Sequence, residues 1–192
     1  MKVNAGPRIL LVAGACALSL IGLVVSEGLA REGGQEVLLP IEAVDPRSLL
    51  QGHYVLLNLT QRLEPGETCP AGGDLEWIAL REENGVYVAV GGADSREQAQ
   101  LLGLPVKGTF ACQEPSPAAA DVEAMPGWVR LDLGVDRFHI NQTDALRIER
   151  VLSEQRVDEP ARAHAIVSIG RDGRGRLRGL MVDGERLELD WL

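Results

Sequence analysis

Side chains able to carry out chemistry are sparse in this sequence. It contains three histidines, three cysteines and two lysines. A metal centre would need several His, Cys or carboxylate groups at intervals that bring them together. His53, His139 and His164 are far apart, none has a partner at such spacing, and each reads as a structural histidine. A serine–lysine hydrolase would need a base beside a serine held in a strained turn. The one lysine past residue 25, Lys107, lies in the strand-like run LPVKGTF, and no serine sits in a glycine-flanked nucleophile turn. A carboxylate pair of the glycosidase kind assembles only in three dimensions, so 28 acidic residues neither indicate nor exclude one. No catalytic residue, metal ligand or cofactor is expected from these patterns.

Two features remain. Arg171, Arg174, Arg176 and Arg178 form a basic cluster. The last three share strand parity, so they read as a solvated ridge that protects a hairpin edge by charge, with contact to phosphate or an acidic partner as the functional alternative. Trp77, Trp128 and Tyr54 are the aromatic residues around which a ligand pocket would form.

Charge narrows the function classes. From Ser26 onward 17 basic residues face 28 acidic ones, a net charge of −11. Nucleic-acid binding needs phosphate neutralisation by Lys and Arg, and broad adhesion to anionic lipid needs the same; the balance argues against both. Hydrophobic content is 45% but aromatics only 4%, so aliphatic side chains must fill the core.

Ile9 to Val25 reads ILLVAGACALSLIGLVV without a charge. As a helix it spans about 26 Å at about 1.5 Å per residue, close to the roughly 30 Å of a bilayer core. Lys2 and Arg8 precede it and Glu27 follows, which places the N-terminus in the cytoplasm and the remainder outside. The reading is residues 1–8 cytoplasmic, 9–25 a transmembrane anchor, 26–36 a linker and 37–192 an exported domain. A cleaved signal segment is the alternative, with Gly28-Leu29-Ala30 before Arg31 as the cleavage site. Cys69 and Cys112 are then the only exported cysteines, and an oxidising compartment permits a disulfide between them.

Strand patterns dominate the exported part: 37–44, 54–60, 75–81, 86–90, 105–112, 129–135, 163–169, 175–182 and 187–191. Asn84-Gly85, Asp172-Gly173 and Asp183-Gly184 between apolar runs signal hairpins. Helical patterns cover 95–102 and 143–155, the second with Ala145, Ile148 and Leu152 on one face. The expected fold is mainly β: an antiparallel barrel or sandwich of seven to nine short strands with one or two short helices.

The stretch VDPRSLLQGHYVLLNL, from Val44 to Leu59, joins two of these strands. Asp45 can cap a helical turn, Pro46 fits its first position, and Gly52 can close it. Arg47 is not explained by the local pattern: it reads as a structural arginine that binds Asp45 or a nearby carbonyl, with contact to a ligand or partner as the alternative. The stretch resembles the signature of the GDYXXLXY-domain family of bacterial membrane-anchored proteins. Asp45, Pro46, Arg47, Gly52, Tyr54 and Leu57 match that pattern, while His53 replaces the family's Asp and Leu59 its final aromatic. Phe138-His139-Ile140 and the closing GRLRGLMVDG are similar to later family segments. The resemblance implies an inner-membrane protein with its domain in the periplasm or outside the cell, no assigned activity, and association with a multi-pass membrane protein. The leading expectation is a non-enzymatic accessory or partner-binding module, with the DPR turn through Tyr54 and Leu57 as the contact. A small-ligand or polysaccharide-binding domain and a carboxylate-dependent hydrolase are the alternatives.

Overall fold

The structure, a computed structural model, describes residues 5–42, 54–116, 125–135, 137–139, 148, 150–151 and 161–188. An uninterrupted apolar run with no proline past Pro7 forms helix α1, Ala5–Glu32. Gly33-Gly34 ends it, the Gly33 N–H closing on the Leu29 carbonyl at 2.9 Å. The helix therefore continues through most of the segment read as a linker. Ile9–Glu32 contains an 18-residue window with a mean hydropathy of 2.6, none of it buried inside the protein, and is long and apolar enough to cross a bilayer.

Twelve strands follow among the described residues: β1 Gln35–Glu42, β2 Tyr54–Leu56, β3 Asn58–Leu63, β4 Trp77–Glu83, β5 Val86–Ala93, β6 Leu104–Lys107, β7 Thr109–Gln113, β8 Gly127–Asp132, β9 Arg137–His139, β10 Ala163–Ile169, β11 Gly175–Val182 and β12 Glu185–Glu188. Helix α2, Arg96–Leu102, lies between β5 and β6. All pairings are antiparallel. They give a seven-stranded sheet in the order β12-β11-β10-β1-β3-β8-β7, a three-stranded sheet β5-β4-β6 and a two-stranded ribbon β2-β9. The fold is β-rich and sandwich-like; the sheets do not close into a barrel.

Strand alternation explains the core. Val37, Leu39 and Ile41 of β1 point inward with Val129 and Leu131 of β8, against Ile78, Leu80, Ala89 and Val106 of the smaller sheet. Full burial of a side chain like Leu39 stabilises by about 1.5–3 kcal/mol. The outer face of the smaller sheet carries α2, whose Ala99 packs with Ala79 and Ala93. Ser95 caps α2 by accepting the Gln98 N–H at 3.3 Å.

Three differences from the sequence pattern raise the strand count above nine. The run 54–60 divides at Leu57, and 105–112 divides at Gly108, where φ is 155° and a Cβ would collide with the Asp132 carbonyl. Strand β9 is three residues long, too short to carry a period. Asn84-Gly85 and Asp183-Gly184 form the expected hairpins with positive φ at both residues. Of the helical pattern 143–155, Ile148 and Val151 are helical and buried; its other residues except Arg150, with Ala145 and Leu152, lie outside the described residues.

A disulfide links Cys69, in the loop after β3, to Cys112 of β7, with Cα atoms 5.8 Å apart. The sequence separation is 43, and a loop of that size gives about 4 kcal/mol in the chain-entropy account. Urea unfolding of the Cys69→Ala/Cys112→Ala double variant is expected to show a loss of that order. An unchanged midpoint would mean the bridge does not form in the mature protein.

Candidate functional site

The densest polar structure among the described residues sits where α1 meets the sheet. Arg176 of β11 is only 9% exposed. Its Nε donates to Glu27 Oε1 of α1 at 2.5 Å, and one Nη to Glu27 Oε2 at 3.3 Å. The guanidinium also donates to both carboxylate oxygens of Asp172, at 3.1 and 3.0 Å. One cation thus holds the foot of the helix and the β10–β11 turn together. A guanidinium stays charged even when buried, so its burial calls for such partners, and here two carboxylates raise its pKa further. The same hydrogen bonds hold the Asp172 carboxyl down at about 2.

The arginine cluster is therefore not a solvated ridge. A bulge between Ile166 and Val167 leaves Arg178 as the extra residue of β11, and the foot of α1 touches β10 and β11. Arg178 reaches Glu36 of β1 at 3.3 Å, and Arg186 of β12 grips the same carboxylate at 2.7 and 2.9 Å. Those bonds, from Arg186 first, keep the Glu36 pKa below the usual carboxylate value. Only Arg171 and Arg174, in the turn, stay exposed and make no ion pair among the described residues.

An open cleft of about 280 Å³ lies beside this junction, lined among others by Gly33, Gln35, Arg96, Gln100, Gly170 and Arg171. Neither Trp77 nor Trp128 lines it. Lys107 Nζ lies 5.4 Å from the Trp77 ring centroid, and the Arg130 guanidinium 4.7 Å from that of Trp128; both rings are engaged by cations of the chain itself. No group of three or more His, Cys, Asp or Glu suited to a metal occurs among the described residues.

Asp45, Pro46, Arg47, Gly52 and His53 lie outside the described residues. Tyr54 begins β2, and Leu57 is buried beyond its end. Tyr54 pairs with His139, Val55 with Phe138 and Leu56 with Arg137. The two segments of the sequence resemblance thus form one ribbon. His164 sits mid-sheet between Pro40 and Met181, and burial lowers its pKa below the usual histidine value.

Sequence reasoning did not mark Glu27, Asp172 or Glu36 as partners of the arginine cluster. Glu27 had a signal: a lone carboxylate two residues past an apolar run, in a chain with an unexplained arginine cluster.

A family model described as GDYXXLXY protein matches residues 16–180. Among curated proteins and among solved structures nothing matches.

Two outcomes are expected. Arg176→Gln should cost about 1–3 kcal/mol, as lost charge-assisted hydrogen bonds do, the half-exposed carboxylates recovering water. It should also return Asp172 from about 2 toward its ordinary 3.8, read by NMR titration. In the native chain the Asp172 contribution is present above pH 3.8 and fades as pH falls toward 2. His164 acts at higher pH. Its folded-state pKa is depressed, so below the ordinary value of 6.5 the unfolded chain takes up a proton that the folded chain resists, and stability falls with pH. His164→Gln should flatten the pH dependence of Tm between 6.5 and 5; an unchanged slope would rule out His164 as its source.

Proposed function

The chain belongs to the GDYXXLXY protein family, and from that premise we propose that it is a single-pass, membrane-anchored accessory module. Its β domain sits on the extracytoplasmic side and binds a partner without catalysing a reaction. The partner is a multi-pass membrane protein in the same bilayer. The observation that carries this reading is α1. It is long and apolar enough to span, its apolar side chains stay exposed, and its foot is tied into the sheet by Arg176. Cleavage before Arg31 would remove Glu27 and leave a nearly buried arginine short of one counter-charge, which favours an uncleaved anchor over a leader segment.

The arrangement of the described polar groups supports a binding role over catalysis. Arg176, Arg178 and Arg186 each pair with carboxylates of the chain itself. The depressed pKa values of Asp172 and Glu36 follow from those pairs and leave acids that stay ionised at neutral pH. A general acid would need the opposite shift. The proposed partner contact is the segment Asp45-Pro46-Arg47 together with Tyr54.

Co-purification tests this. The full-length tagged chain, expressed at native level in its own host and extracted in mild detergent, should enrich one multi-pass membrane protein. Arg47→Ala should lose that protein while keeping the wild-type melting temperature. Its intact mass should include residues 1–30. Absence of any enriched partner would remove the accessory reading.

A further inference from the structure

The net charge of −11 past residue 25 hides a local exception. The β10–β11 turn, Gly170 to Arg174, carries Arg171 and Arg174, both exposed and without an ion pair among the described residues. Lys107, the only lysine past residue 25, is exposed beside the same turn; its N–H donates to the Gly173 carbonyl at 2.8 Å. The Trp77 ring lies against Gly173, where any Cβ would strike it, and Lys107 stands over that ring. Arg96 of α2 donates to the Arg171 carbonyl at 2.7 Å. Further along α2, Leu101 is 87% and Leu102 47% exposed. Outside α1 only Met125 joins them as an exposed large apolar side chain among the described residues.

The height of this cluster follows from the Arg176 clamp. Arg176 bonds Asp172 in the turn and Glu27 on the helix. Glu27 lies two residues past Val25, about 3 Å along the axis at about 1.5 Å per residue. The headgroup zone on each side of a bilayer is roughly 5–8 Å deep. A turn fastened at Glu27 therefore sits within that zone when α1 spans.

We propose that the β10–β11 turn, through Arg171, Arg174 and Lys107 with Trp77 beside them, docks on the lipid phosphates of the leaflet from which α1 emerges. The proposal rests on the reading of α1 as a membrane anchor. Charge complementarity and continuity with the lipid-facing surface of α1 select the occupant. The cations meet phosphate oxygens, the tryptophan occupies the polar–apolar boundary as interfacial tryptophans do, and Leu101 provides an apolar contact at the rim. The acidic remainder of the domain is repelled by the same leaflet, so the docking is oriented: one end down. Anionic lipid strengthens it, each cation near a charged surface being attracted within a Debye length.

Fluorescence quenching tests the proposal on the full chain reconstituted in phosphatidylcholine vesicles, with and without phosphatidylglycerol. The quencher is a phosphatidylcholine bearing a nitroxide on its headgroup. One protein keeps Trp77 alone, through Trp128→Phe and Trp191→Phe. A reference protein adds Trp77→Phe and carries Glu83→Trp, about 20 Å up β4 at about 3.3 Å per residue. Trp77 is expected to be quenched several-fold more than the reference, and more strongly when phosphatidylglycerol is present. The Lys107→Gln/Arg171→Gln/Arg174→Gln variant is expected to lose the phosphatidylglycerol dependence. Equal quenching at the two positions overturns the proposal, and that comparison needs no charge variant to fold. Retention of the phosphatidylglycerol dependence by a triple variant with the wild-type melt overturns it too. So does unchanged quenching in that triple variant together with loss of the membrane-protein partner, which would give the turn to that partner. Alkaline extraction separates the two layers of the argument. A wild-type chain released from the vesicles defeats the anchor, whereas a retained chain with unquenched Trp77 defeats the docking alone.

Discussion

A guanidinium removed from water must find carboxylates, and Arg176 finds two that lie far apart in sequence. One belongs to the foot of the N-terminal helix and the other to the turn beside it. Everything at that end of the molecule follows from the pairing. The helix cannot swing away from β11 without stranding a charge, because truncating such a network leaves the remaining partners uncompensated. Glu36 repeats the device one layer on, drawing Arg178 and Arg186 across β10 and so joining β1, β11 and β12.

Ionic closure on the outer face and apolar packing on the inner face divide the work. The inner face is made of aliphatic residues in alternation, as a chain with few aromatics requires, and the smaller sheet closes over it. The clamp is thus at once a polar network and the means by which a lipid-length helix becomes part of a β domain. The exposed cations Arg171 and Arg174 of the turn lie beside this clamp.

Legibility in the sequence tracked how local each feature is. Asn84-Gly85 and Asp183-Gly184 announce hairpins because their backbone demands are met within two residues. The alternation of β1 and β8 is readable for the same reason, and the apolar run of α1 is plain from composition. The arginine cluster was misread because strand parity assumes an unbroken ladder. The bulge beside Ile166 and the ion pair to the foot of α1 are tertiary facts that no spacing of Arg174, Arg176 and Arg178 contains. Strand β9 escaped because three residues hold no period, and its partner β2 lies some eighty residues earlier. The motif residues from Asp45 to His53 lie outside the described residues, so the pattern that carries the family resemblance is placed here only by its last members, Tyr54 and Leu57.

Only Gly33 and Gly34 separate the end of α1 from the start of β1, and a side chain at Gly34 would collide with Ser168. With α1 in a bilayer, so short an elbow removes the tether's slack. The domain would then not sample a hemisphere of solution above its anchor but drift in the plane with a fixed elevation and a fixed underside. Encounters would become a search in two dimensions among molecules of the same membrane, and a soluble molecule would meet only the upper and lateral faces.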